Sequence, residues 1–177
     1  LVLLTGLVIL LSPLKQRINQ ELTSNVKEVL TCQEFNKVYP WTGTTIRLFQ
    51  ARIAYEIINE YDAFLLGFGI NAAKEKIIEK QNHYNLYEGY NEYNFHNQYI
   101  QSAVELGIAG LFCTIVLLFS FFKGYIKDRE LLELFLFIIM ASVFITETYI
   151  WRQRGMYHFL ILYGLLIKIR PALSKPN

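Results

Sequence analysis

His96 and Asn97 stand side by side, and Gln101 and Glu105 follow Asn97 at a repeat of four. On a helix that repeat puts two amides and a carboxylate in one stripe beside an imidazole, with Gln98 next to them. An imidazole with an ordinary pKa of about 6.5 accepts a proton from a hydroxyl at neutral pH, so His96 is a candidate general base. Arg47, Arg52 and, far along the chain, Arg152 carry the complementary chemistry, since guanidinium forks bind pyrophosphate oxygens in pairs. Plainer readings stand beside these. Exposed arginines are common, Arg152 and Arg154 can snorkel beside Trp151, and His96 and Asn97 can open a helix in a headgroup layer. Glu105 fits the plain reading least, because it would lie about 12 Å deeper than Asn97.

Helices are the elements available to position these groups. In KQRINQELTSNVKEVL, Leu14, Ile18, Leu22, Val26 and Val29 recur at three and four, which predicts one amphipathic helix. YPWTGTT then supplies Pro, Gly and a Thr cap ahead of IRLFQARIAYEIINEYDAFLL, whose Ile46, Phe49, Ile53 and Ile57 line one face of a second. Gly67-Phe-Gly69 reads as the turn that ends it. It is no dinucleotide fingerprint, lacking the strand before and the helix after. A charged stretch and the Tyr- and Asn-rich HYNLYEGYNEYNFHNQY follow, without strand periodicity. Tyr84, Tyr87, Tyr90, Tyr93 and Tyr99 are suited either to stacking on sugar rings or to an interfacial aromatic belt.

The 177 residues are 53% hydrophobic and only 18% charged, with the charge concentrated in the middle. A disordered chain is thereby excluded, and the composition is apolar for a water-soluble domain. Gly107 to Phe122 carries no charge, and with its polar first turns at an interface it can cross a bilayer, which takes about 20 residues. Leu131 to Thr146 and Met156 to Ile169 are shorter apolar segments. Leu1 to Leu14 is apolar from its first residue without a basic leader, which predicts the outer end of a membrane helix whose beginning lies upstream. The expected layout is that end over 1–14, a large outer loop over 15–96, membrane helices over 97–122, 131–150 and 156–170, an inner turn over 123–130, an outer turn over 151–155 and an inner tail over 171–177. Lys123, Lys127, Arg129, Lys168, Arg170 and Lys175 then fall inside, as the positive-inside rule asks, and Arg152 and Arg154 break it. Cys32 and Cys113 are too differently placed to pair, and His83, His96 and His158 have no ligand-like spacing, so neither a disulfide nor a metal site is expected.

In order and spacing, Arg47-Leu48 opening a helix, LLGFGINA, FHNQYIQSAVELGIAGL and TETYIWRQRGMYHF resemble the signature of the O-antigen ligase and polymerase family. The resemblance runs over about residues 40 to 170. Ala51 stands where the family commonly has Trp, and Ala63 or Phe64 where it commonly has Pro. It implies an all-α, polytopic membrane bundle of the C type of glycosyltransferase, of which this chain is a fragment holding about four membrane segments and one large outer helical loop. It further implies an inverting, metal-independent and cofactor-free transfer of a glycan from an undecaprenyl (polyprenyl) pyrophosphate carrier to a lipid A core or glycan hydroxyl, on the periplasmic side of a bacterial inner membrane. Membrane lipids are the other implied partner, and nucleic acid is not one. His96 takes the catalytic role by this resemblance, Arg47, Arg52 and Arg152 hold the donor, and Gly67, Gly69, Asn97, Gln101, Glu105, Gly107, Glu147, Gln153 and Gly155 complete the motif. Two alternatives remain at this stage: a non-catalytic transport or polysaccharide-export component, and a soluble all-α interaction protein.

Overall fold

The computed structural model describes residues 13–90, 93–128 and 131–173. The expected membrane-helix end over 1–14 lies outside them as far as residue 12. Among the described residues the chain is helical and has no strand: α1 (Pro13–Leu22), α2 (Val26–Thr31), α3 (Gly43–Glu60), α4 (Lys74–His83), a 3-10 turn (Glu88–Tyr90), α5 (Gln98–Asp128), α6 (Leu131–Thr146) and α7 (Gln153–Leu173).

The expected single helix over residues 14–29 is two. Thr23 and Ser24 turn their hydroxyls back onto Asn19, Gln20 and Glu21 carbonyls, and the Asn25 side chain accepts from the Glu28 N–H to start α2. Three short polar side chains thus compete with the helical backbone and break it. α3 starts where a Thr cap was expected, through a reciprocal pair in which Thr45 N–H donates to Thr42 Oγ1 at 3.2 Å and Thr42 N–H to Thr45 Oγ1 at 2.8 Å. The Glu21 carboxylate accepts from Gly43 and Thr44 N–H, tying α1 to the same helix end. The face of Ile46, Phe49, Ile53 and Ile57 is buried as its spacing predicts, and Phe49, Ile53 and Ile57 pack with Val29, Phe35, Ile77, Tyr84, Leu86, Phe95 and Val104 into one core. Each such side chain contributes about 1.5–3 kcal/mol of burial. The charged KEKIIEKQNH, left unassigned by periodicity, is α4, which buries only Ile77 and Gln81.

A second core joins α5, α6 and α7 through Leu118, Phe121, Met140, Phe144, Phe159 and Leu166. Among the described residues, Gln98–Lys123 is the helix long and apolar enough to cross a membrane, and Leu131–Thr146 is apolar but shorter. α5 runs on to Asp128 through most of what was expected to be an inner turn. It is not straight. Gly107 has φ 65 and ψ −160, and the helix bends there. The Val104 carbonyl freed by the bend accepts from Phe68 N–H, the Glu105 carbonyl from Gly69 N–H, and Ile108 N–H donates to the Phe64 carbonyl. The Gly67-x-Gly69 segment is therefore more than the cap of α3, which already ends at Glu60. It is the piece of chain that satisfies the broken turn of α5.

Candidate active site

Asn97 begins the site by joining two helix ends. Its Oδ1 accepts from Ile100 N–H at 3.0 Å, capping α5, while its Nδ2 donates to the Ile145 carbonyl at 3.1 Å, one of the last of α6. The next free carbonyl of α6, Thr146, accepts from Arg47 Nε at 3.2 Å, and Arg47 Nη1 donates to Gly43 at 2.8 Å. A cation at a helix C-terminus is favourably placed against the partial negative charge there. Gln98 adds a third tie, accepting from Ile150 N–H at 2.8 Å and Trp151 N–H at 3.3 Å. The turn between α6 and α7 is thus held on the start of α5. Gly155 permits it, because a Cβ there would stand 2.0 Å from the Tyr149 carbonyl oxygen.

Glu147, the first residue past α6, gathers the charged groups. Its Oε1 lies 3.9 Å from Arg47 Nη2, and its Oε2 lies 3.2 Å from Arg152 Nη2 and 3.7 Å from His96 Nδ1. The imidazole separation is too long for a hydrogen bond, and both His96 Nδ1 and Glu147 Oε2 are buried without an aligned partner. His96 sits at φ 47, its N–H donating to Asn94 Oδ1, and its ring meets the edge of Tyr93. Burial pushes the His96 pKa below the ordinary 6.5; the Arg47 and Arg152 charges push the same way and the Glu147 carboxylate opposes them. The imidazole is therefore neutral at pH 7, the state in which it can accept a proton.

Arg52 is not brought to this cluster. Its guanidinium donates to the carbonyls of Val29 and Cys32, to Tyr84 Oη and to Glu56, and lies over the Tyr84 ring. Its donors hold α3 on α2 and on the chain after α4. Tyr84 is accordingly core, and Tyr99 donates to the Ala141 carbonyl between helices, whereas Tyr87 and Tyr93 are exposed. Glu105 is buried, and its Oε1 accepts from Gln101 Nε2, Asn71 N–H and Trp151 Nε1 at 2.9–3.0 Å. Gly67 and Gly107 are backbone contacts: a Cβ on Gly67 would lie 2.5 Å from Glu105 carbonyl atoms, and one on Gly107 2.2 Å from the Leu65 oxygen. Gly69, at φ 96, continues the same turn. Gln153 opens α7 with an exposed side chain. Trp151 and Tyr93 also stand at the site. Tyr93 was legible only as one of five tyrosines suited to stacking on sugar rings or to an aromatic belt, and Trp151 only as the neighbour of Arg152.

The arrangement can deprotonate a hydroxyl at His96 and hold an anion. Two guanidiniums face one carboxylate beside a neutral imidazole, so the cluster keeps a net positive charge, and no donor on Arg152 is hydrogen-bonded among the described residues. A family model described as O-antigen ligase matches residues 1–115. It takes in Arg47, Gly67, Gly69 and His96 to Gly107, while Glu147, Arg152, Gln153 and Gly155 lie beyond it, of which Glu147 and Arg152 join the cluster through the fold. No curated protein and no solved structure matches the chain.

Proposed function

From the premise that this chain belongs to the O-antigen ligase family, we propose that His96 is the general base of a glycan transfer and that Arg47 and Arg152 hold the leaving pyrophosphate. The family carries O-antigen ligase-like membrane glycosyltransferase activity, acts on polyprenyl-linked glycan and lipid A core, and belongs to the inner membrane. The observation that carries the finer reading is the convergence of His96, Arg47 and Arg152 on Glu147 from three separate elements.

Glu147 faces Nδ1 of His96, which leaves Nε2 for the acceptor. The acceptor O–H gives its proton to Nε2 and the oxygen attacks the anomeric carbon. The bond from that carbon to the phosphate oxygen breaks, its electron pair leaves with the pyrophosphate, and the configuration inverts. Arg47 and Arg152 stabilise the departing charge as fixed donors, without a bound cation. Glu147 is a positioning residue that turns the imidazole and spaces the two forks. Asn97, Gln98 and the glycines set the helix ends that carry them. The donor is an undecaprenyl pyrophosphate glycan, and the acceptor is lipid A core or a second glycan.

The membrane layout belongs to the same reading: residues 15–96 outside, α5, α6 and α7 as spans, and the active site facing the periplasm. It is supported by α5, whose Leu106, Ile108, Phe112 and Phe119 are exposed although the helix is apolar. A soluble core helix of that composition would bury them. Inorganic pyrophosphate tests the anion site in the full-length protein reconstituted in lipid. It is expected to inhibit transfer competitively against the lipid-linked donor, and Arg152→Gln to weaken that inhibition by about tenfold, the value of one charge-assisted contact. Equal inhibition of wild type, Arg47→Gln and Arg152→Gln would place the pyrophosphate elsewhere.

A further inference from the structure

Beside the His96 cluster is a small half-open hollow of about 80 Å³ between the loop after Gly69, the chain before His96, α5 and Trp151. The reaction as proposed uses none of its lining. Its floor is rich in acceptors. Gln101 is 5% exposed and its Oε1 is buried with no hydrogen-bond partner, although its Nε2 is spent on Glu105. Glu105 adds a carboxylate, and Asn71 and Asn94 add amides. An orphaned carbonyl at such a depth calls for a donor, from a ligand or from water that a ligand displaces. Two aromatic rings flank the floor and are both about 40% exposed, Tyr93 at 40% and Trp151 at 43%. Each is fixed: Trp151 by its indole bond to Glu105, and Tyr93 by edge contacts to Tyr90 and His96. Lys74 stands at the rim and is already engaged.

An anionic ligand would meet the Glu105 carboxylate, and an aliphatic one would leave Gln101 unpaired. A pyranose answers both halves of the lining, since its C–H face covers an aromatic ring and its hydroxyls donate to buried acceptors. We propose that this hollow, with Tyr93 and Trp151 as walls and Gln101 as its floor acceptor, binds one neutral sugar residue of the glycan substrate. The site rests on the glycosyl-transfer reading and gives that reading a specificity pocket: Tyr93 touches the base, and Trp151 precedes the arginine assigned to the leaving group.

Saturation-transfer NMR on the full-length protein in nanodiscs tests it without requiring turnover. One arm uses the donor glycan released from its carrier by mild acid, and the other uses delipidated core oligosaccharide. The arm that shows saturated ring protons identifies the substrate from which the sugar comes. Wild type and Tyr93→Phe are expected to give the signal, and Tyr93→Ala and Gln101→Leu to lower it by about tenfold. Tyr93 is exposed, so its truncation opens no core, and Gln101→Leu keeps the volume. No saturation from either oligosaccharide, or full signal in both Tyr93→Ala and Gln101→Leu, would overturn the site. Because the readout is binding, transfer that survives His96→Ala would overturn the catalytic reading while leaving a positive binding result in place.

Discussion

His96→Ala is expected to lower transfer by about 10²- to 10⁴-fold, the usual contribution of a positioned general base, while the protein accumulates to the wild-type level. The residue is peripheral to both cores. Its backbone is held by Asn94 and its ring lies against Tyr93, so truncation removes a proton acceptor without opening packed interior. What remains should be the rate due to positioning and to the arginine donors. In a strain lacking the protein, complemented with wild type or variant, the surface glycan profile gives the same answer, and its size pattern shows whether attachment or chain lengthening has failed. Full restoration by the Ala variant would reduce the family relationship to shared fold and favour a transport or export role.

Gly107→Ala is expected to have a large structural effect for a single added methyl group. The residue occupies φ 65 and ψ −160, a region open essentially to glycine alone. The added carbon would sit 2.2 Å from the Leu65 oxygen and 2.7 Å from the Leu66 nitrogen, both rigid backbone atoms. Relief requires the loop over residues 64–69 to lift off α5, which leaves the Val104 and Glu105 carbonyls unpaired and releases Asn71 from Glu105. Strain plus lost hydrogen bonds amount to about 3–5 kcal/mol, enough to unfold a marginally stable protein. Gly164→Ala is the matched control, since nothing lies within 4 Å of a Cβ there. Limited proteolysis in membranes should find Gly107→Ala cleaved between α3 and α5 and Gly164→Ala resistant. Equal resistance would mean that the loop and the bend are not coupled.

Local pattern made the core face of α3 legible, because Ile46, Phe49, Ile53 and Ile57 need only one helix to be understood. It did not reveal the break at Thr23 to Asn25, where three polar side chains outweigh an apolar spacing whose Ile18, Leu22 and Val26 the chain leaves exposed. α4 escaped because a helix that buries two positions in ten writes almost no periodicity. The bend in α5 lay within a run of apolar residues, and the N–H groups that make it tolerable come from a segment about forty positions earlier. Arg52 shows the same limit at the site. Its guanidinium chemistry suggested a ligand shared with Arg47, yet its partners Val29, Cys32 and Tyr84 are remote in sequence and commit it to holding α3 against the core. His96, Arg47 and Arg152 were legible as chemical types. Their meeting at Glu147 depends on α6 ending beside the start of α5, a tertiary fact that no local spacing records.

The most direct measurement is the pH dependence of kcat/KM for the acceptor in the reconstituted full-length protein, compared among wild type, Arg152→Gln and Glu147→Gln. A base must be neutral to act, so the rate falls as pH falls through the His96 pKa of the free enzyme, which burial and two guanidiniums hold below the ordinary 6.5. Removing the Arg152 charge takes away a lowering influence and should move the acid limb to higher pH. Removing the Glu147 charge takes away a raising one and should move it to lower pH. Opposite shifts from two residues of one cluster are the predicted result. An acid limb that stays in place in both variants would contradict His96 as the base.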